Sequence, residues 1–170
     1  MIVKMVGAML IILGCGGFGF KLASDYLKQI TSLRQLQAVL NYLQSELQFR
    51  LTPLPELCSI ASKQCRGTLS LFFIKLQNEL DSQISPDVER CVSAALYKQS
   101  GLPSYTIKAL EKLGSSLGRF DLEGQLKGID AVKSYCDIIE TELSKEKSIR
   151  VRNYRTLAIC AGAALAILFM

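Results

Sequence analysis

The sequence predicts an all-α protein, an antiparallel bundle of about six helices flanked by N- and C-terminal transmembrane helices. Three observations lead there. Apolar residues recur at three- and four-residue intervals along most of the middle of the chain. No segment alternates apolar and polar residues as a half-buried strand would. Both ends are strongly apolar, whereas nearly all the charge lies between Asp25 and Asn153. The boundaries that follow are a transmembrane helix over 2–23, a cytoplasmic six-helix domain over 24–153 and a second transmembrane helix over 154–170.

The two ends justify their elements by length. The run from Met5 to Phe20 carries no charge and is bracketed by Lys4 and Lys21. At the rise of an α-helix it covers about 24 Å. Adding Ile2, Val3, Leu22 and Ala23, with Lys4 snorkelling, brings it to bilayer thickness. The run from Leu157 to Met170 alone covers only about 21 Å. It reaches across if its helix starts near Val151, with Arg152 and Arg155 turned to the head groups. Ala158, Gly162 and Ala166 form a small-residue stripe there. Such a stripe lets membrane helices approach closely and would serve a homo-oligomer, although helix propensity accounts for it equally well.

Between the ends, Ile30, Leu33, Leu36, Leu40, Leu43 and Leu47 mark a long helix from about Tyr26 to Arg50. Thr52-Pro53 reads as an N-cap followed by a first-turn proline. Leu54, Leu57, Ala61 and Cys65 line the helix that follows, and Gly67 ends it. Leu69, Phe72, Phe73, Leu76 and Leu80 mark a third helix. Ser85-Pro86-Asp87 repeats the cap-plus-proline start before Val88, Cys91, Val92, Ala95 and Leu96. Gly101 to Ser104 interrupts the pattern, and Ile107, Leu110, Leu113 and Leu117 resume it. Gly118-Arg119-Phe120-Asp121 is the last turn. Leu122, Leu126, Ile129, Val132, Cys136, Ile139 and Leu143 then carry a final helix into the second tail. Short connections between helices argue for antiparallel neighbours.

The last turn is the candidate structural and interaction site. Leu117 should face the core, because it continues the preceding apolar series. Gly118 should end its helix in a left-handed conformation. Asp121 should cap the final helix. Arg119 and Gln125 are then left on the outer side, placed to meet a partner.

Formal net charge is +5, and mean hydropathy is +0.26. The basic residues gather beside the tails: Lys21, Lys28 and Arg34 after the first, and Lys145, Lys147, Arg150, Arg152 and Arg155 before the second. Only Lys4 lies on the far side. The positive-inside rule therefore places the middle domain in the cytoplasm and both termini across the membrane. Anionic lipid head groups are the first partner implied. The same cluster also suits the negative end of a helix dipole. Without a long basic run or interleaved stacking aromatics, nucleic acid is not a partner.

The composition argues against an enzyme. There are no histidines, which removes the commonest general base and metal ligand. The six cysteines contain no C-x-x-C pair, so neither metal nor other cofactor is called for. Acidic neighbours such as Glu140 and Glu142, or Asp121 and Glu123, read as solvated helix faces. Gly14, Gly16 and Gly19 match G-x-G-x-x-G after an apolar run, the alternative of a nucleotide-binding enzyme. That motif needs a second strand with an acidic end roughly 20 residues on. Here the chain reads Leu33-Arg34-Gln35-Leu36 in a helical pattern. A further alternative is a lipoprotein anchored at Cys15, because Leu13-Gly14-Cys15 follows a basic start and an apolar stretch. The apolar run continues past Cys15 to Phe20, which opposes processing there.

The order of elements resembles the stage III sporulation protein AB family of spore-forming bacteria over essentially the whole chain. The residues that carry the resemblance are Leu33-Arg34-Gln35-Leu36 with Leu47, then Leu51-Thr52-Pro53-Leu54-Pro55-Glu56, then the stretch from Leu113 to Asp121 with Gln125. Phe120 stands where a small polar residue is expected, and Gly124 where a charged one is usual. The resemblance implies a fold similar to the cytoplasmic domain of type II secretion and type IV pilus inner-membrane platform proteins. It implies a scaffold in the complex linking mother cell and forespore, located in the mother-cell membrane facing the forespore. The partners implied are the companion secretion-type ATPase of the same operon and the channel-ring proteins.

Overall fold

The computed structural model describes residues 2–50, 52–82, 87–117 and 121–169. Its side chains are described within 21–160, except at 22, 148, 150, 151, 154, 155, 158 and 159. Six helices make up the described residues, with no strand: α1 Ile2–Arg50, α2 Leu54–Gln64, α3 Thr68–Asp81, α4 Val88–Tyr97, α5 Ser104–Ser116 and α6 Leu122–Phe169. The helix number matches the expectation, but its distribution differs. The expected terminal spans are not separate elements. The N-terminal run is the first part of α1 and the C-terminal run is the last part of α6. No Pro or capping turn stands between either tail and its neighbouring helix, so nothing in the sequence stops the hydrogen-bond ladder.

Two compact units divide the chain, one formed by Met1–Ile30 with Glu142–Met170, the other by Thr31–Thr141. In the first, Ala23, Tyr26 and Ile30 are buried. The Tyr26 hydroxyl donates to the Leu143 carbonyl at 2.7 Å, satisfying a phenol whose ring is otherwise enclosed. Most side chains of the expected transmembrane segments, 2–23 and 154–170, lie outside the described residues. Among the described residues no helix is long and apolar enough to cross a membrane.

The Thr31–Thr141 unit holds the core. Leu33, Leu36, Leu40, Leu43 and Leu47 of α1 are buried at alternating three- and four-residue steps, the spacing of a coiled-coil seam. Ile129, Val132 and Cys136 repeat that spacing on α6. Arg34 pairs with Glu140, and Gln44 bonds Asp130. Partners that ascend in one helix descend in the other, so α1 and α6 are antiparallel here. α2 packs on α3, α3 on α4 and α4 on α5. Phe72 and Phe73 meet edge to face with centroids 5.3 Å apart at the centre of α3, and both are fully enclosed. Thr106 of α5 is also enclosed, and its hydroxyl donates to Ser32 Oγ at 3.0 Å.

Several local expectations are corrected. Thr52 does not cap α2. Pro53 occupies the N-cap position without a side-chain bond, and the Thr52 hydroxyl instead donates to Glu46 Oε2 at 3.2 Å. Two physical reasons favour this. Pro55, within the first turn, has no N–H to offer a cap. Glu46 is only 8% exposed, and a buried carboxylate needs donors more than a helix end does. Gly67 does not end α2, which stops at Gln64. It takes φ +66° at the N-cap of α3. Ser85 and Pro86 lie outside the described residues, and Asp87 caps α4, its Oδ1 accepting from the Glu89 N–H at 3.2 Å. Leu122 was expected on the apolar face of the last helix and is exposed. It is the first residue of α6, ahead of the turn where the packed series begins at Ile129.

Candidate functional site

The turn between α5 and α6 is partly described. Leu117 is buried, and its N–H bonds back to the Leu113 carbonyl at 3.0 Å as the C-cap of α5. Gly118, Arg119 and Phe120 lie outside the described residues, and with them the left-handed glycine and the outward arginine. Asp121 is exposed, and its Oδ1 accepts from the Gly124 N–H at 3.0 Å. Its own carbonyl accepts from the Gln125 N–H at 3.0 Å. Asp121 thus caps α6 and places a negative charge at its positive end. Gln125 is half-buried rather than fully outward.

The basic segment lies on α6 within the tail-bearing unit. Lys145, Lys147 and Arg152 are exposed there, whereas the side chains of Arg150 and Arg155 lie outside the described residues. Ile149 and Leu157 are exposed on the same stretch, 55% and 66% respectively, so charge and apolar surface are interleaved.

A feature that sequence reading missed is the polar seam along α1 and α6 in the Thr31–Thr141 unit. Arg34 meets Glu140 at 2.6 Å at one end. At the other, Gln44 donates to Asp130 at 3.2 Å, while Lys133 donates to Gln44 Oε1 at 2.8 Å and approaches Asp130 at 3.4 Å. Between these clamps is an open groove of about 420 Å³, lined by Gln37, Asn41, Asp130, Lys133, Ser134 and Asp137. Its signal was present in the sequence. Gln37, Asn41 and Gln44 recur at helical spacing beside the leucine series, as do Asp130, Lys133 and Asp137 beside Ile129, Val132 and Cys136.

Among the described residues the buried thiols are held protonated. Burial pushes the Cys58 and Cys65 thiols up to about 12 and Cys136 up to about 11, far from a reactive thiolate. The Tyr42 phenol is raised chiefly by its hydrogen bond to Glu46. Among the described residues no group of three metal-ligating side chains comes together. Gly14, Gly16 and Gly19 lie inside α1, a continuous helix, rather than on the strand-to-helix turn that a dinucleotide loop requires. The three glycines therefore do not form that loop. The Cys15 side chain lies outside the described residues.

Comparison with known proteins agrees with the helical architecture. The family model described as stage III sporulation protein AB matches residues 4–170. A stage III sporulation protein AB of Bacillus subtilis (strain 168) is 25% identical over 170 residues, covering 98% of this chain and 99% of that protein. A solved structure of a stage III sporulation protein AB superposes with a TM-score of 0.60 at 23% identity, covering 72% of this chain and 98% of that one.

Proposed function

This chain belongs to the stage III sporulation protein AB family, and from that premise we propose that it is a membrane-anchored scaffold. It holds a cytoplasmic secretion-type ATPase against the channel that links mother cell and forespore. The observation that carries the reading is the extent of the family match, residues 4–170, which takes in both apolar tails as well as the helical domain. A scaffold needs no catalytic centre. It needs a rigid helical body, anchors and surfaces for partners, and α1 and α6 each bring one apolar tail to such a body. In this reading the two tails cross the mother-cell membrane facing the forespore, with both termini beyond it. The helical domain faces the mother-cell cytoplasm, where the Lys145–Arg155 segment meets anionic head groups. The platform proteins of type II secretion and type IV pili supply the functional analogy.

Two measurements test it. Affinity purification of the full chain from sporulating cells should retain the companion ATPase, and its consistent absence would overturn the coupling role. A Met170→Cys variant should react with a membrane-impermeant thiol reagent applied from outside the mother cell. Reaction only after lysis would reverse the topology.

A further inference from the structure

We propose that the groove between α1 and α6 is a receptor for one arginine side chain of a partner protein, centred on the carboxylate of Asp137. The inference deepens the scaffold reading, on which it rests, by naming the chemistry of a partner.

Charge along the seam singles out Asp137. Each cation there already has its carboxylate: Arg34 has Glu140 at 2.6 Å, and Lys133 has Asp130 at 3.4 Å with the Gln44 carbonyl oxygen at 2.8 Å. Asp137 lines the same groove, is exposed and holds no ion pair or hydrogen bond within the described chain. The groove therefore carries one unmatched negative charge. Around it stand the Gln37 and Asn41 amides and the Ser134 hydroxyl, which likewise have no side-chain partner among the described residues.

This donor and acceptor set fits a guanidinium better than an ammonium. A guanidinium presents five N–H groups in a planar fork, two of which match the two oxygens of a carboxylate. The Gln37 and Asn41 carbonyl oxygens and the Ser134 hydroxyl can accept the rest. An ammonium is a compact point charge with three donors, and it would leave part of this set unused. A divalent cation is usually held by more than one carboxylate, and the groove offers one that is free. An anion would meet Asp137 directly.

The helix segments that carry the lining are packed into the core. Leu36 and Leu40, which neighbour Gln37 in α1, and Val132 and Cys136, which neighbour Lys133 and Asp137 in α6, are at most 1% exposed. The lining side chains thus project from two helices locked by the core, which lowers the ordering cost of binding. Arginine is also among the residues that most often anchor protein interfaces.

The test uses the full isotope-labelled chain in detergent micelles, titrated with N-acetyl-arginine amide and with N-acetyl-citrulline amide, its uncharged isostere. The arginine amide should produce saturable millimolar NMR shifts confined to the Gln37 and Asn41 side-chain amides and their neighbours. Asp137→Asn should weaken this about fivefold or more without changing the melting temperature, and the citrulline amide should not saturate. Equal response to citrulline, an unchanged response in Asp137→Asn, or no saturable shift would overturn the receptor. In sporulating cells Asp137→Arg should lower spore yield at normal protein level, and wild-type yield would remove the groove from partner binding. If Asp137→Asn lowers the oligomeric state of the full chain, the arginine belongs to a second copy and the assignment to another protein falls. The scaffold reading fails by a separate result, loss of the ATPase from the wild-type purification, so the two failures are distinguishable.

Discussion

Gly128 of α6 passes so close to Ser116 of α5 that a Cβ at position 128 would stand 2.3 Å from the Ser116 Cβ and 2.8 Å from its Oγ. The nearest atom is fixed to the α5 backbone, so it cannot swing aside. In an exposed helix Gly→Ala would gain about 1 kcal/mol from propensity. Here overpacking costs about 1–3 kcal/mol and reverses the sign. Gly128→Ala should lower the melting temperature, and adding Ser116→Gly should recover part of the loss. A Gly128→Ala protein more stable than its parent would show that α5 and α6 separate at no cost.

Asp121 offers a second measurement on the same turn. Its Oδ1 takes the Gly124 N–H at 3.0 Å, an orphan donor in the first turn of α6. Asp121→Ala should cost about 1 kcal/mol, and Asp121→Asn a few tenths less, because the amide oxygen still caps without the charge. Denaturant midpoints decide it, and an unchanged midpoint for Asp121→Ala would mean that the cap contributes nothing.

These two contacts mark what the sequence could and could not reveal. The helices were legible because each keeps its own apolar period: Leu33, Leu36, Leu40, Leu43 and Leu47 declare a buried stripe without reference to any other residue. Asp121 was legible because an N-cap is local chemistry. Gly128 was not, since its role depends on which helix lies opposite, and one sequence holds no pairing information between α5 and α6. The groove escaped for the same reason. Gln37 and Asp137 look like ordinary solvated positions until α1 and α6 are set antiparallel. Thr52 misled because its local pattern suits a cap, while the stronger claim on its hydroxyl comes from Glu46 in the preceding helix.

The buried thiols make stability pH-dependent in a stated window. Cys58 and Cys65 are raised from 9.0 to about 12, and Cys136 to about 11. Below the unfolded value near 9.0 both folded and unfolded states hold the proton, and the pH has no leverage through these groups. Above it the unfolded thiol ionises while the folded one does not, so stability falls as pH rises from about 9 to about 11 or 12. The slope is at most about 1.4 kcal/mol per pH unit for each thiol. Melting between pH 8 and 10.5 should show the fall, and replacing Cys58, Cys65 and Cys136 with Val should flatten it. Equal slopes would mean that tyrosines and lysines carry the whole effect.

The junction between α1 and α2 can be resolved by a double-mutant cycle. Glu46 is buried to 8% exposure, accepts the Thr52 hydroxyl at 3.2 Å and lies 3.6 Å from Arg50 Nη1. If Thr52 serves Glu46, then Thr52→Ala leaves a buried carboxylate short of a donor and should cost about 1–2 kcal/mol. In a Glu46→Leu background that cost should largely vanish, because no carboxylate remains to be satisfied. If Thr52 instead stabilised the start of α2, its loss would cost the same in both backgrounds. A coupling energy of about 1 kcal/mol between positions 46 and 52 is therefore expected, read from urea unfolding of the four proteins. A value near zero would return Thr52 to the role of a helix cap.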